Sequence, residues 1–146
     1  MGIQKICRMI TSGLAGLALT ITVCAHALAQ DLSCPIPGQK PTLVVQLFFG
    51  QSIANRGPVT QKEWNSFLLH TVTPRFPDGF TVYNAYGQWL NPDTHHVTRE
   101  NSKVIVILTA NTAPVRASIT ELSDAYRTQF RQQSVAIVTN PGCSAF

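Results

Sequence analysis

Residues 73–89 have the sequence TPRFPDGFTVYNAYGQW, and this stretch takes the chain out of a helix, through a turn and into a strand. Pro74 and Pro77 each fix their own φ and move the preceding residue out of the α region, so a helix that reaches this point must end here. Asp78 and Gly79 then supply a corner that tolerates left-handed backbone. The aromatic and β-branched residues that follow predict a strand from Phe80 to about Trp89.

The segments before this turn predict a strand followed by a helix. Residues 42–49 are apolar at nearly every position and end at Gly50, which is typical of a strand covered on both faces. After a loop, Thr60 and Glu63 form the Thr-x-x-Glu pattern of a capping box. The residues that should face the core of this helix then follow at helical spacing: Trp64, Phe67, Leu68, Thr71 and Val72.

The segments after the turn predict a strand, a helix and a last strand. Residues 91–101 are expected to form a polar connection, and the apolar run 103–109 to form the third strand. Thr112 can cap a second helix, whose buried residues recur at intervals of three and four: Val115, Ile119, Leu122, Tyr126 and Phe130. A fourth strand is expected over residues 134–139, ended by Asn140-Pro141-Gly142.

This order, β-α-β-β-α-β, predicts an α+β fold of the ferredoxin-like split kind, an antiparallel sheet with two helices on one face. In that topology the first and third strands are central and the fourth and second flank them. The two strands without alternation are the first and the third, so pattern and topology agree.

The N-terminal segment has the pattern of a secretory signal peptide. Lys5 and Arg8 precede an apolar run, and Ala27-Leu28-Ala29 forms a cleavage pattern that would leave Gln30 as the new N-terminus. We therefore predict a signal peptide over residues 1–29, one α+β domain over 30–146, and a periplasmic or secreted protein without a membrane span. Lipidation of Cys24 is a rival route, which Val23 disfavours because lipoprotein signals place a small residue before the cysteine.

Charge and cysteine content narrow the class of protein further. Removal of residues 1–29 leaves nine basic and seven acidic residues, too weak an excess to predict nucleic-acid binding. Cys34 and Cys143 lie just outside the start of the first strand and the end of the fourth, which the topology places at one edge of the sheet. We predict that they form a disulfide; two free thiols are the alternative.

The candidate ligand-binding residues lie in and after the central turn. Arg75 and Asp78 could act as an anion-binding and acid–base pair, or could be structural, with Asp78 capping the turn and Arg75 bridging to a carbonyl or to Asp78. The second strand carries amphipathic groups of the kind that small-ligand pockets use, or that simply pack against the helices or a partner: Tyr83, Asn84, Gln88 and Trp89.

Other kinds of site find little support. Asp93, His95 and His96 form the one cluster with metal-ligand chemistry, but adjacent loop histidines point apart, so we predict no metal site and no cofactor. No Gly-x-Ser-x-Gly elbow is present, so hydrolase chemistry is unsupported.

The central strands also predict self-association. They are apolar on both faces, yet both helices should cover the same face, which would leave the other as an exposed apolar patch. A second copy of the chain is the simplest cover, and a small apolar ligand or another envelope protein is the alternative.

The mature chain resembles a bacterial family of small exported proteins known as domain of unknown function 3574. The resemblance covers nearly all of the domain and rests on Leu47-Phe48-Phe49-Gly50, Glu63-Trp64, residues 73–82, Gly87-Gln88-Trp89, Ser102-Lys103-Val104 and residues 126–135. It implies no activity and no catalytic residue, although many relatives look like lipoproteins. We therefore expect an exported binding or interaction module; the alternative is a small dimeric ferredoxin-like enzyme with a pocket on the open sheet face.

Overall fold

The computed structural model describes residues 33–146 of the chain, so the predicted signal peptide, its cleavage site and Cys24 lie outside the described residues. Within them the elements are strand β1 (Lys40–Gly50), helix α1 (Gln61–Phe67) with a π-helical turn (Leu68–Val72), strands β2 (Thr81–Leu90) and β3 (Val97–Thr109), helix α2 (Ala113–Phe130) and strand β4 (Ala136–Ser144). No helix in this range is long and apolar enough to cross a bilayer.

The four strands form one sheet in the order β2-β3-β1-β4, and each neighbouring pair is antiparallel. The predicted α+β class, with its antiparallel sheet and two helices, is thus confirmed. The first and third strands are central, as their lack of alternation indicated.

One face of the sheet carries the core. Along β1 the odd-numbered residues Leu43, Val45, Leu47 and Phe49 are buried. The Phe49 ring meets Trp64 and Phe67 of α1 at 5.6 and 5.9 Å, and Tyr126 of α2 at 4.7 Å between ring centroids. Both helices therefore pack on the same side of β1, and their aromatic rings meet largely edge to face, a favourable arrangement.

Helix α1 begins as predicted and ends differently. The Thr60 hydroxyl accepts the Glu63 N–H while the Glu63 carboxylate accepts the Thr60 N–H, so the capping box is present. The last turn is a π-helix, in which the Thr73 N–H reaches back to Leu68 O at 2.9 Å. This wider turn allows Phe67 and Val72, five residues apart, both to be buried, whereas Leu68 and Thr71 are only half-buried.

Helix α2 follows the predicted pattern. Thr112 caps it by accepting the Val115 N–H, and Ile119, Leu122, Tyr126 and Phe130 are buried. Arg131 ends the helix in the left-handed region, with φ of 51°.

Two strands extend beyond their predicted bounds. Residues 97–102, expected to be a polar connection, are the first half of β3 and pair with residues 85–90 of β2. The turn between them is held by the Asn91 side chain, whose oxygen accepts the N–H groups of Asp93 and Thr94 at 2.9 and 3.1 Å. Residues 98–102 are all polar and none of them is buried, which suits the end of a hairpin that is solvated on both faces.

Strand β4 was expected to stop at Asn140 but continues to Ser144 and pairs with β1 as far as Lys40. Pro141 is tolerated because β4 is an edge strand, where the missing N–H can face away from the ladder. Gly142 fits the close approach of β1, since a Cβ there would lie 2.8 Å from Val44 Cγ2.

The Cys34–Cys143 disulfide is present, with Cα atoms 5.7 Å apart. Cys143 pairs with Pro41 in the β1–β4 ladder, so the extended pairing of β4 brings its end beside the segment that precedes β1.

Candidate functional site

The predicted ligand-binding residues of β2 lie on two different faces of the sheet. Tyr83 pairs with Val104, on the face away from the helices, whereas Asn84 pairs with Lys103 on the other face. Trp89 shares the face of Tyr83, and Gln88 that of Asn84, because successive side chains of a strand alternate. These four residues therefore do not form one wall on a single face of the sheet.

Asn84 and Gln88 have partners on the neighbouring strand. Lys103 Nζ donates to Asn84 Oδ1 at 2.6 Å, and Arg99 Nε donates to Gln88 Oε1 at 2.7 Å. Both are directly opposed cross-strand pairs, which stabilise the hairpin modestly.

Arg75 and Asp78 do not pair with each other within the described chain. Arg75 Nη1 donates to Thr71 O at 2.9 Å, which is the structural alternative of a bridge to a carbonyl. Its buried Nε lies 3.5 Å from Glu121 Oε2 but makes no well-formed hydrogen bond. Arg75 thus joins the turn to both helices, and ligand binding by these six residues stays a prediction.

The face away from the helices, here called the open face, is mainly apolar. Across its centre Phe48 pairs with Val104, and Val104 pairs with Tyr83. Val104 is buried between these neighbours, while Phe48 and Tyr83 remain 37 and 55 % exposed. The same face continues over β1, β3 and β4 with Val44, Gln46, Val106, Leu108, Ala136, Val138 and Asn140. None of these residues carries a charge.

A second group of residues meets where β1 ends. The buried Tyr126 hydroxyl donates to Gly50 O at 2.7 Å and accepts the Gln51 side-chain N–H at 2.9 Å. Burial raises the pKa of Tyr126 well above its ordinary value, so the phenol stays neutral. Tyr126, expected in the buried stripe of the second helix, is a core residue, and its hydroxyl partners come from the distant end of β1.

Glu100, Gln132 and Ser52 lie beside this group, although no sequence pattern indicates that they converge. Glu100 Oε2 accepts the Ser52 N–H at 3.0 Å, and Gln132 Nε2 donates to Ser52 O at 2.6 Å. Ser52 and Glu100 also help to line a cleft of about 320 Å³, together with Tyr86 and Arg99. These residues come from the end of β1, the hairpin and the segment after α2, which only the tertiary fold brings together.

A further depression, of about 670 Å³, lies over the start of α1. Its charged residues include Arg56 and Glu63, which form a bidentate pair at 3.0 and 2.9 Å. Because Glu63 also belongs to the capping box, this pair has a structural role. Both carboxylate oxygens of Glu63 are already bonded, so they are not available for a ligand.

Histidine and acidic residues do not assemble into a metal site in the described chain: no group of three or more His, Cys, Asp or Glu side chains there could hold an ion. His95 takes a left-handed conformation, with φ of 55°, in the β2–β3 turn.

Comparison with solved structures finds the fold in a phage SAM lyase. The complex of that enzyme with S-methyl-5'-thioadenosine has a TM-score of 0.58 and 13 % sequence identity, over 72 % of this chain and 90 % of the lyase. Its apo state has a TM-score of 0.54 and 15 % identity, over 73 % of this chain and 90 % of the lyase. At this level of identity the likeness concerns the fold alone.

Comparison with curated proteins gives no significant match. The family described as "Protein of unknown function (DUF3574)" matches residues 45–146, from β1 through the end of the chain. The match spans more than half of the sequence and includes every helix and most of every strand described above. The chain therefore belongs to this family, protein of unknown function 3574, as its sequence resemblance indicated.

Proposed function

We propose that the protein is an exported binding or interaction module that self-associates through its open face. The observation that carries this proposal is the open face itself, because its centre is apolar and uncharged and neither helix covers it. The Cys34–Cys143 disulfide is consistent with an oxidising compartment and so supports export.

The exposure of large side chains supports an interaction surface. Leu108 and Val138 are 37 and 42 % exposed on neighbouring parts of this face, beside the exposed Phe48 and Tyr83. Contiguous apolar patches of several hundred Å² are uncommon on monomers except at interaction sites. Single apolar residues scattered over a surface are normal, but Leu108, Phe48, Tyr83 and Val138 lie on neighbouring strands of one face.

A second copy of the chain is the occupant that the charge pattern favours. In a two-fold dimer the same surface of both copies forms the interface, so like charges on that surface would repel each other. The open face has no charged residue at its centre and would meet no such repulsion. Four strands about 4.8 Å apart and about seven residues long give a projected area of roughly 450 Å² per partner. This area is below that of stable specific complexes and predicts a weak, reversible dimer.

Light scattering on the purified protein between about 1 and 200 μM tests this proposal. We expect the mass to rise toward twice the chain mass as concentration increases. Val138→Glu should hold the protein as a monomer, because it places a charge in the interface. Ile137→Glu is the matched control: Ile137 is the preceding residue of β4 and is 40 % exposed, but it lies on the other face, so dimerisation should persist.

A monomer at every concentration, or equal effects of the two substitutions, would contradict the proposal. Circular dichroism of both variants separates loss of association from loss of folding. Leu47 and Ile107 are unsuitable for this test because both are core residues on the helix-covered face.

The second candidate is a small enzyme of ferredoxin-like architecture, and the likeness to the phage SAM lyase supports it. The sheet order and the position of both helices on one side fit that architecture. We would incubate the protein with S-adenosylmethionine, separate the products by chromatography, and measure thermal shifts with S-methyl-5'-thioadenosine. Turnover of S-adenosylmethionine would favour the enzyme. If there is no turnover and no thermal shift, the interaction module is the remaining candidate.

A further inference from the structure

Strand β2 forms one edge of the sheet, and its outer side has no partner among the described residues. It pairs only with β3, in one continuous register from Thr81 to Leu90, and no backbone group of residues 81–90 bonds any other part of residues 33–146. Natural edge strands are usually protected from further pairing by charges, proline, bulges or short length. Strand β2 has 10 residues without a charge, a proline or a bulge, whereas the other edge strand, β4, carries Pro141.

The sequence of β2 is symmetric in chemical class about Tyr86. Residues at equal distances from Tyr86 match in pairs: the small residues Ala85 and Gly87, the amides Asn84 and Gln88, the aromatic residues Tyr83 and Trp89, and the apolar residues Val82 and Leu90. When two identical strands pair antiparallel about one central residue, positions at equal distances on either side of that residue face each other. Such pairing would therefore place each of these residues opposite its own chemical class in the other copy.

We propose that β2 pairs antiparallel with β2 of a second copy, centred on Tyr86, so that two four-stranded sheets join edge to edge. The two-fold axis would stand normal to the sheet, because the odd-numbered residues of both strands would lie on the same face. The pairing neither covers nor requires the open face, so this interface is separate from the one in the proposed function. A lone pair of strands is only marginally stable in water, so we expect a dissociation constant in the millimolar range and little effect on the mass below about 200 μM.

The side chains of β2 favour a second copy as the occupant of this edge. On the open face Tyr83 would lie opposite the partner's Trp89, and these two side chains are 55 and 37 % exposed. Cross-strand aromatic pairs stabilise a sheet. On the other face the side-chain oxygens of Asn84 and Gln88 accept bonds from β3 at 2.6 and 2.7 Å, while their amide N–H groups have no partner over residues 33–146. Opposed across the pair, each amide would donate to the oxygen of the other.

Disulfide trapping tests this register. Tyr86 would face its own copy across the two-fold axis, so the two Cβ atoms at position 86 would lie about 5 Å apart, while those at position 84 would be separated by about 14 Å. Under air oxidation we expect Tyr86→Cys protein to form a covalent dimer at least tenfold faster than Asn84→Cys protein. Asn84→Cys is the matched control because both residues are exposed on the same face of β2. Mass spectrometry of the digested dimer identifies the bonded positions and separates them from the other cysteines of the chain.

A mixture of Asn84→Cys and Gln88→Cys proteins gives a second test, because these positions would face each other. The mixture should form the disulfide between positions 84 and 88 at least tenfold faster than either protein forms one with itself. Trapping at position 86 should persist when Val138→Glu is also present, which separates this edge from the open face. Circular dichroism checks that each variant is folded. Equal rates at positions 84 and 86, or loss of trapping in the presence of Val138→Glu, would overturn the proposal.

Discussion

At the scale of single residues, Tyr126 connects the two helices with the end of β1. Its ring lies 4.7 Å from Phe49, 5.1 Å from Phe67 and 4.7 Å from Phe130 between centroids. Its hydroxyl binds Gly50 O and Gln51 at the point where β1 ends. The residue therefore has two separable contributions, one from ring packing and one from the hydroxyl.

Tyr126→Phe should keep the packing and remove both hydroxyl contacts. The partly buried Gly50 carbonyl would lose the hydrogen bond that it accepts from the Tyr126 hydroxyl. We therefore expect the free energy of unfolding to fall by about 1–2 kcal/mol. Urea unfolding with an unchanged m-value would measure this loss. Tyr86→Phe is the control, since Tyr86 is 64 % exposed and should change the unfolding free energy by less than about 0.5 kcal/mol.

Sequence reasoning identified chemically suitable residues but could not place them together. Tyr83 and Asn84 are adjacent in sequence and therefore lie on opposite faces of the sheet. The sequence of β2 does not indicate which of its faces meets the helices, because no residue of this strand is buried on either face. Glu100 and Gln132 are 32 positions apart, and no local pattern predicts that both bind the backbone of Ser52. Such contacts depend on tertiary packing alone.

At the scale of elements, the start of α1 depends on the charge of Glu63. The Arg56 side chain, the Thr60 N–H and the Thr60 hydroxyl all bind its carboxylate, which lowers the pKa of Glu63 from about 4.5 to about 2. A carboxyl whose pKa is depressed in the folded state stabilises the fold above its unfolded pKa, and this contribution is lost as pH falls through the folded pKa.

We therefore expect the stability from this cap to be complete above about pH 4.5 and to disappear as the pH approaches 2. Glu63→Gln should reduce stability at pH 7 and weaken its pH dependence across this window, as measured by thermal unfolding at pH 7, 4 and 2.5. Asp93→Asn is the control, because Asp93 is exposed and its carboxylate forms no ion pair among the described residues. An unchanged pH profile in Glu63→Gln would refute this role of the cap.

The elements themselves were predictable where the pattern was local. The capping box and the three-and-four spacing of α2 located both helices, since each depends on contacts within a few residues. The π-helical turn after Phe67 and the extension of β4 through Pro141 were not predictable. Each arises because packing or pairing with a distant segment outweighs the local preference of the chain.

At the scale of the whole molecule, the sheet order was the most predictable feature. Residues 42–49 of β1 and 103–109 of β3 are apolar on both faces, which favours the centre of a sheet, and the helix-strand order then leaves few arrangements. The sheet order does not determine how the two ends of the domain are held together, and the Cys34–Cys143 disulfide joins them.

The disulfide joins residues 109 positions apart and so closes nearly the whole described domain. In the chain-entropy account, a loop of this length lowers the entropy of the unfolded chain enough to stabilise the fold by about 4–5 kcal/mol. The doubly substituted Cys34→Ser/Cys143→Ser protein should unfold at a lower urea concentration than the oxidised wild-type protein. Wild-type protein reduced with excess dithiothreitol should unfold at the same urea concentration as this variant. A variant that retains the wild-type midpoint would show that the pairing of β4 with β1 holds the chain ends without the covalent bond. Titration of free thiols in native protein that lacks residues 1–29 makes the test complete. That chain has only Cys34 and Cys143, so two reactive thiols would mean that the bond does not form.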